Sequence, residues 1–148
     1  MSAIVLEKVT KRFGTKVVVD AVDLTIERGR TTVILGPSGT GKSTILRMAT
    51  GLLAPEAGVV KTLDVDVFAA KKQELLRLRQ RMGLLFQDNA LFGSLSVFDN
   101  VAFPLRRVQK AKEPVVKARV DELLSLVGLS DFGPRLPDRL SGGQRKRV

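Results

Sequence analysis

One glycine-rich stretch, GPSGTGKST at residues 36–44, carries the clearest chemistry in the sequence. It fits the P-loop pattern of a glycine, four residues and then Gly-Lys-Ser. Gly39 and Gly41 allow the backbone to curl so that its N–H groups point at a polyphosphate. Lys42 supplies charge to the β- and γ-phosphates, and Ser43 supplies a hydroxyl ligand for Mg²⁺. The predicted nucleotide-binding residues are Gly36, Pro37, Ser38, Gly39, Thr40, Gly41, Lys42, Ser43 and Thr44.

Such a loop needs a strand before it and a helix after it. The run TTVILG at residues 31–36 is short, apolar and rich in β-branched residues, which is typical of a buried parallel strand. Helical spacing follows, so a helix beginning near Lys42 would direct its positive dipole end at the anion. A glycine-rich turn that merely precedes a helix is the weaker alternative, because both flanking elements are those that the motif requires.

The remaining pattern predicts strands first and helices afterwards, with a subdomain boundary near Gln87. The residues 12–16, RFGTK, are predicted to form a turn. The predicted strands cover residues 2–9, 22–26, 31–36, 58–67 (as one or two strands) and 82–86, and the predicted helices cover residues 45–53, 70–81, 97–107 and 113–129.

A second motif, LSGGQ at residues 140–144, follows Lys42 by about a hundred residues. Taken alone, Ser141 is adequately explained as a helix N-cap. Together with the P-loop, this sequence resembles the signature of the ATP-binding cassette (ABC) family, and the resemblance covers essentially the whole chain. It implies an α/β fold: a P-loop ABC ATPase core of mixed sheet and helices, plus an α-helical signature subdomain. Residues 1–148 would form one incomplete domain, with a nucleotide-binding core at 1–87, a helical subdomain at 88–148 and the C-terminal part of the core missing.

The resemblance also implies two binding roles and two partners. The signature would meet the γ-phosphate of ATP held by a second ATP-binding subunit, so a homodimer with sandwiched ATP is expected. An integral-membrane permease is the other expected partner. The signature residues are Leu140, Ser141, Gly142, Gly143 and Gln144.

Two further positions match the family residue by residue. Gln87 stands where the family has a glutamine that touches Mg²⁺ and the attacking water, which makes it the catalytic candidate and, with Ser43, a Mg²⁺ ligand. A surface-loop glutamine is the alternative. Phe13 stands where an aromatic ring stacks on adenine, and a core residue beside a turn is the alternative. ATP and Mg²⁺ are thus the expected cofactors.

The stretches MGLLFQDNALFGSLSVFDNVAFPLR and RLPDRLSGGQRKRV are most similar to the ATPases of Mce/Mla-type lipid transporters. Methionine-type amino-acid importers and soluble non-transport ABC proteins remain alternatives. The loop 88–96 would lie near the groove that receives a permease helix. The candidate contacts are Leu91, Phe92, Leu95 and Phe98, and packing within the helical subdomain is their alternative.

Composition limits the remaining classes of protein. The net charge is +10, yet the basic residues are spread along the chain without aromatic platforms. Exposed helix faces, some meeting phosphates or anionic lipid surfaces, explain this charge, and no nucleic-acid partner is expected. No apolar run approaches the roughly 20 residues of a membrane helix, and the early Glu7 and Lys8 argue against a signal peptide. We therefore expect a cytoplasmic protein, peripheral on the inner face of the cell membrane through its permease.

The family's hydrolytic residues follow the signature: an Asp-Glu pair after an apolar strand, and then a histidine. The sequence contains no histidine, and it ends at Val148. We expect the N-terminal part of a longer ATPase that is hydrolysis-deficient as it stands, since loss of a general base alone typically costs about 10²–10⁴-fold in rate.

Overall fold

The computed structural model describes residues 1–87 and 90–148. These residues form two compact units, Met1–Leu84 and Leu85–Val148. The division falls within a few residues of Gln87. The assignment of residues 1–87 and 88–148 to a core and a helical subdomain stays a prediction.

The first unit is built on a four-stranded antiparallel sheet with the strand order β2-β1-β3-β4. Its first two strands form a long hairpin. The tight turn between them is possible because Gly14 adopts a φ of 59°. The predicted turn is therefore confirmed. The strands are β1 (Ser2–Phe13), β2 (Lys16–Glu27), β3 (Ala57–Thr62) and β4 (Val65–Asp66).

Two helices complete the first unit: α1 (Lys42–Ala49) and α2 (Lys72–Arg79). The buried Thr62 hydroxyl of β3 donates to the Ala49 carbonyl at 2.8 Å, which ties the end of α1 to the sheet. The buried core comprises Leu6, Val9, Val19, Met48, Val60, Val67 and Leu78.

The second unit is helical. Its helices are α3 (Val97–Arg107), α4 (Glu113–Leu126) and α5 (Gly142–Arg147), with 3₁₀ turns at Ser130–Phe132 and Pro137–Arg139. The Ser96 hydroxyl caps α3 by accepting the Asp99 N–H at 3.0 Å. A separate core fills this unit with Val97, Ala102, Val116, Val120, Leu124, Leu129 and Leu140.

Two predicted strands are wrong. Residues 31–36 and 82–86 are assigned to no strand in the described structure. Val33 and Leu35 are 69% and 86% exposed, and Leu85 is 70% exposed, which contradicts the expected burial. Apolar β-branched residues favour a strand only where a neighbouring strand supplies hydrogen bonds. In the described part of the chain, every strand that forms belongs to the antiparallel sheet.

Among the residues that the structure describes, no helix combines the length and the apolar character needed to cross a bilayer.

Candidate nucleotide-binding site

The P-loop backbone is shaped by its glycines. Gly39 and Gly41 have φ values of 80° and 90°, a region that favours glycine over other residues. Gly41 is the N-cap of α1 in the left-handed conformation, and its carbonyl accepts the Ile45 N–H at 2.9 Å. The loop therefore delivers the chain directly into α1 at Lys42, with the helix N-terminus at the loop.

Close packing fixes the loop onto the hairpin. A Cβ added to Gly41 would lie 2.8 Å from the Val18 carbonyl oxygen and 3.2 Å from a methyl carbon of Val19. The first contact lies against backbone, which cannot easily move aside. Glycine is therefore required at position 41 for two reasons: the positive φ angle and the short distance to the backbone of β2.

The Lys42 ammonium lies within the loop that it serves. Its Nζ donates to the carbonyls of Gly36 at 2.8 Å and Pro37 at 2.6 Å. The Thr40 hydroxyl also donates to the Pro37 carbonyl, at 2.9 Å. Hydrogen bonds from the Lys42 and Thr40 side chains therefore hold the loop closed. Of the other predicted residues, Ser38, Gly39 and Ser43 are exposed, and Thr44 is half-buried.

Phe13 lies at the end of β1, opposite Lys16. Its side chain is 51% exposed, so the alternative of a core residue does not hold. The Lys11 ammonium lies 5.5 Å from the ring centroid. Since the P-loop packs on Val18, two residues along β2 from Lys16, the ring and the loop occupy the same end of the hairpin.

The signature motif forms a complete capping box in the second unit. The Ser141 hydroxyl accepts the Gln144 N–H at 3.2 Å, and the Gln144 side-chain oxygen accepts the Ser141 N–H at 2.8 Å. Sequence reasoning predicted the N-cap but missed the role of Gln144. The signal was present, because serine followed three residues later by glutamine is the capping-box pattern.

Packing and two arginines hold this turn in place. Leu140 is 4% exposed within the core, and its carbonyl accepts a hydrogen bond from Arg145. Arg147 donates to the Val127 carbonyl beyond α4, at 2.8 Å. In contrast, a Cβ added to Gly142 or Gly143 would meet no atom of the described residues outside its own helix backbone within 4 Å. The described part of the chain therefore gives no steric reason for glycine at these two positions.

The predicted residue Gln87 lies in a turn, is exposed and belongs to the second unit. The P-loop and Phe13 belong to the first unit. Asp88 and Asn89, at the start of the predicted permease-facing loop, lie outside the described residues. In the described ranges, no group of three or more Asp, Glu, His or Cys side chains is placed to hold a metal ion.

Sequence reasoning also missed Asn100 on α3. Its Oδ1 accepts the Phe92 N–H at 2.8 Å, and its Nδ2 donates to the carbonyls of Phe92, Leu95 and Ser96 at 2.9–3.1 Å. One side chain therefore closes the loop before α3. Asparagine inside a predicted helix gave no signal of this, since its partners depend on the loop conformation.

The four predicted permease contacts differ in exposure. Phe92 is 50% exposed, and its ring lies 4.8 Å from that of Phe103, which is 38% exposed. Leu91 and Leu95 are half-buried. Phe98 packs against the core of the second unit, which agrees with the alternative expectation that it packs within the helical subdomain.

Comparison with known families decides the identity. The profile described as ABC transporter matches residues 19–148, which is most of the chain. The chain belongs to the ABC transporter family. The predicted family is therefore confirmed.

Named relatives of this ABC family member differ in what they are said to transport. The "probable ribonucleotide transport ATP-binding protein mkl" of Mycobacterium tuberculosis is 46% identical over 94% of the chain and 39% of the relative. The "sulfate/thiosulfate import ATP-binding protein CysA" of the same organism is 45% identical over 99% of the chain and 40% of the relative. "Methionine import ATP-binding protein MetN 2" of Rhodococcus jostii is 47% identical over 96% of the chain and 43% of the relative. The chain thus spans about two fifths of these proteins' length.

Solved structures agree on the fold. A dimeric ATP-binding cassette in a post-hydrolysis state, bound to ADP and Pi, gives a TM-score of 0.86 at 31% identity. The match covers 97% of the chain and 66% of that structure. CbiO1 of Clostridium perfringens, part of the ABC transporter complex cbiONQ, gives 0.82 at 28% identity, covering 99% and 58%. The predicted ABC ATPase fold class is confirmed, although the two expected buried strands are not formed.

Proposed function

We propose that this chain is the ATP-binding part of an ABC transporter subunit, and that nucleotide phosphates bind at residues 36–44. The observation that carries the proposal is the placement of Lys42 within a glycine-shaped loop at the start of α1. Both the charge and the helix terminus favour a polyanion at this position.

The loop's own hydrogen bonds indicate how a phosphate would be received. Lys42 now donates to the Gly36 and Pro37 carbonyls, which are neutral acceptors. Phosphate oxygens are charged acceptors and form stronger hydrogen bonds with an ammonium. We infer that Lys42 exchanges the carbonyls for phosphate when a nucleotide binds. The exposed Ser43 hydroxyl and, as proposed, Gln87 would hold Mg²⁺, which would supply neutralisation of the phosphate charge.

Phe13 is proposed to stack on the adenine. Its ring is half-exposed at the P-loop end of the hairpin, and the Lys11 ammonium beside it adds positive charge there. Aromatic stacking on a nucleobase is worth about 1–3 kcal/mol, by analogy with single-stranded nucleic acids. A ring in this position would add affinity for the base to the phosphate contacts of the loop.

The signature is proposed to bind ATP held by a second copy of the subunit. Gly142 and Gly143 lie in the first turn of α5, where alanine would favour the helix by up to about 1 kcal/mol per residue. A Cβ at either position would meet no atom within 4 Å among the residues that the structure describes, apart from the helix's own backbone. A ligand approaching the helix from outside would explain both glycines, because it needs the space and the exposed N–H groups. The dimeric ATP-binding cassette among the structural relatives supports this arrangement.

ATP hydrolysis is proposed as the activity of the whole protein, on its membership of the ABC transporter family. Gln87 would then position Mg²⁺ and the attacking water. For the 148 residues themselves, binding of ATP is the proposed activity.

The transport partner is proposed to be a membrane permease, with the subunit held at the cytoplasmic face of the membrane. Lipid is our proposed cargo, on the resemblance of residues 82–106 and 135–148 to Mce/Mla-type ATPases. Amino-acid import is the second candidate, supported by 47% identity to the methionine import relative. Measuring which substrate class stimulates ATP turnover of the reconstituted transporter would separate the two.

Removing the P-loop ammonium tests the ATP site. We expect Lys42→Ala to weaken ATP binding about 100-fold or more, because charge-assisted hydrogen bonds to phosphate are lost. Lys117→Ala, on the exposed face of α4, is the matched control and is expected to bind ATP as the parent does. Isothermal titration calorimetry with MgATP measures both. Equal affinities for all three chains would refute the assignment.

A further inference from the structure

The surface of α2 is strongly basic. Residues 71–81 include five basic residues and one acidic residue, Glu74. All five basic side chains are exposed: Lys71, Lys72, Arg77, Arg79 and Arg81. Within the described part of the chain, none of the five lies within 4.0 Å of a carboxylate oxygen. Apart from Arg79, these side chains therefore present their charge at the surface of the described residues.

Packing decides which side of α2 faces outward. Leu78 is 2% exposed in the core of the first unit, and Leu75 packs against that core. Arg79 reaches inward to donate to the Gly51 carbonyl at 2.9 Å. At about 100° per residue, Leu76 and Lys72 lie roughly 160° and 120° around the helix from Leu78, and Arg77 lies roughly 100° from it on the other side. Lys71 is the exposed residue that precedes the helix as its N-cap. We call the surface formed by Lys71, Lys72, Leu76 and Arg77 the α2 basic face.

The α2 basic face combines charge with an exposed apolar side chain. Leu76 is 50% exposed, between Lys72 one turn before it and Arg77 beside it. Lys71, Lys72 and Arg77, together with Gln73 and Glu74, line an open depression of about 520 Å³. Cations surrounding an exposed leucine are the features of a helix that lies on an anionic bilayer, where the leucine enters the headgroup region.

We propose that the α2 basic face docks on an anionic lipid bilayer. Charge complementarity with acidic headgroups supplies the attraction, and Leu76 supplies a contact that a phosphate backbone would not use. Residues 71–81 contain no aromatic side chain of the kind that stacks on nucleobases, which argues against single-stranded nucleic acid. This docking is separate from nucleotide binding, so neither proposal depends on the other.

Vesicle binding of the 148-residue chain tests the proposal. We expect sedimentation with vesicles of 70% phosphatidylcholine and 30% phosphatidylglycerol at about 0.1 M salt, and none with phosphatidylcholine alone. A basic residue near such a surface contributes about a fivefold gain in partitioning. The triple variant Lys71→Gln, Lys72→Gln, Arg77→Gln is therefore expected to bind about 100-fold more weakly.

A charge-matched control separates this face from general electrostatics. The variant Arg107→Gln, Lys110→Gln, Lys112→Gln removes the same charge from exposed positions in the second unit. It is expected to lose less than about fivefold. Equal losses in the two triple variants would overturn the proposal, because binding would then follow net charge alone. Circular dichroism confirms that each variant is folded.

The Leu76 side chain allows a test that does not depend on charge. Leu76→Ser is expected to weaken vesicle binding several-fold. Its binding to duplex DNA, measured at the same salt concentration, is expected to be unchanged. Tighter binding to DNA than to anionic vesicles, lost in the α2 triple variant, would overturn the proposal in favour of nucleic acid. MgATP affinity measured on the same variants reports the nucleotide site independently.

Discussion

At the residue scale, the P-loop holds its own cation at the start of a helix, where Lys42 donates to two carbonyls of the loop. The motif predicted that Gly39 and Gly41 let the backbone curl and that a helix begins near Lys42; the positive φ of both glycines and the start of α1 at Lys42 are observed. The contacts of Lys42 with the Gly36 and Pro37 carbonyls were not predictable, because they depend on the three-dimensional path of the loop. The same holds for the approach of Gly41 to Val18.

The exposed Phe13 ring leads to a prediction about the binding of adenine. We expect Phe13→Ala to weaken MgATP binding about tenfold and Phe13→Tyr to preserve it, since stacking needs a ring but no hydroxyl. Binding of inorganic tripolyphosphate, which has no base, should be the same for all three chains. Calorimetric titration with both ligands measures the difference. Parallel losses for ATP and tripolyphosphate would mean that Phe13 supports the loop and does not contact adenine.

At the scale of elements, one ion pair links α3 to α4. Arg106 of α3 binds Glu113 at the start of α4 at 2.7 Å, and it also binds Asp99 of its own helix at 2.7 Å. A hydrogen bond from the Ser96 hydroxyl is the main cause that holds the pKa of Asp99 below its ordinary value, and the hydrogen bond from Arg106 is the second. Arg106 also lowers the pKa of Glu113. A carboxyl group whose pKa is lowered by folding stabilises the fold above its ordinary pKa of about 4. That contribution is lost as the pH falls below this value.

The Arg106 pairs therefore predict a pH-dependent effect. We expect Arg106→Gln to lower the urea midpoint at pH 7 and to have a progressively smaller effect at acid pH, as the two carboxyl groups become protonated. Because the side chains are largely solvated, the loss at pH 7 is modest. Arg107→Gln, the exposed neighbour, is the control and should behave as the parent at neutral and at acid pH. A difference that persists unchanged at acid pH would assign the effect to packing.

Asn100 gives the second prediction at this scale. Asn100→Ala removes four hydrogen bonds and is expected to cost about 1–3 kcal/mol of unfolding free energy, because loop backbone groups lose their partners. Asn100→Asp keeps the acceptor for the Phe92 N–H but loses the three donor bonds. Amide hydrogen exchange at Phe92 should therefore be fast in the alanine variant and slower in the aspartate variant. Equal protection in both would show that Asn100 does not close the loop.

At the scale of the whole molecule, the sequence predicted the order of elements better than the sheet. The hairpin, α1, α2 and the helical second half follow from local periodicity and turn residues. The strands expected at residues 31–36 and 82–86 were wrong because a strand depends on neighbours that periodicity does not reveal. Likewise, spacing identified both halves of the proposed ATP sandwich. The Asn100 contacts emerged only from the fold, whereas the capping box was present in the Ser141–Gln144 spacing and was missed.

The existence of two separate cores has a consequence for proteolysis. Each unit buries its own set of apolar residues, and the peptide bonds after Leu85 and Phe86 lie beside exposed side chains, 70% and 37% accessible. Chymotrypsin cleaves after large apolar residues, so a cut at this junction is expected to release the second unit as a fragment of about 7 kDa that resists further digestion, because the cut does not open its core. The first unit carries a further accessible site after Leu35, which is 86% exposed, and should be divided there. Mass spectrometry of the digest checks this, and early cleavage within α4 or β1 would show that the cores are not independently stable.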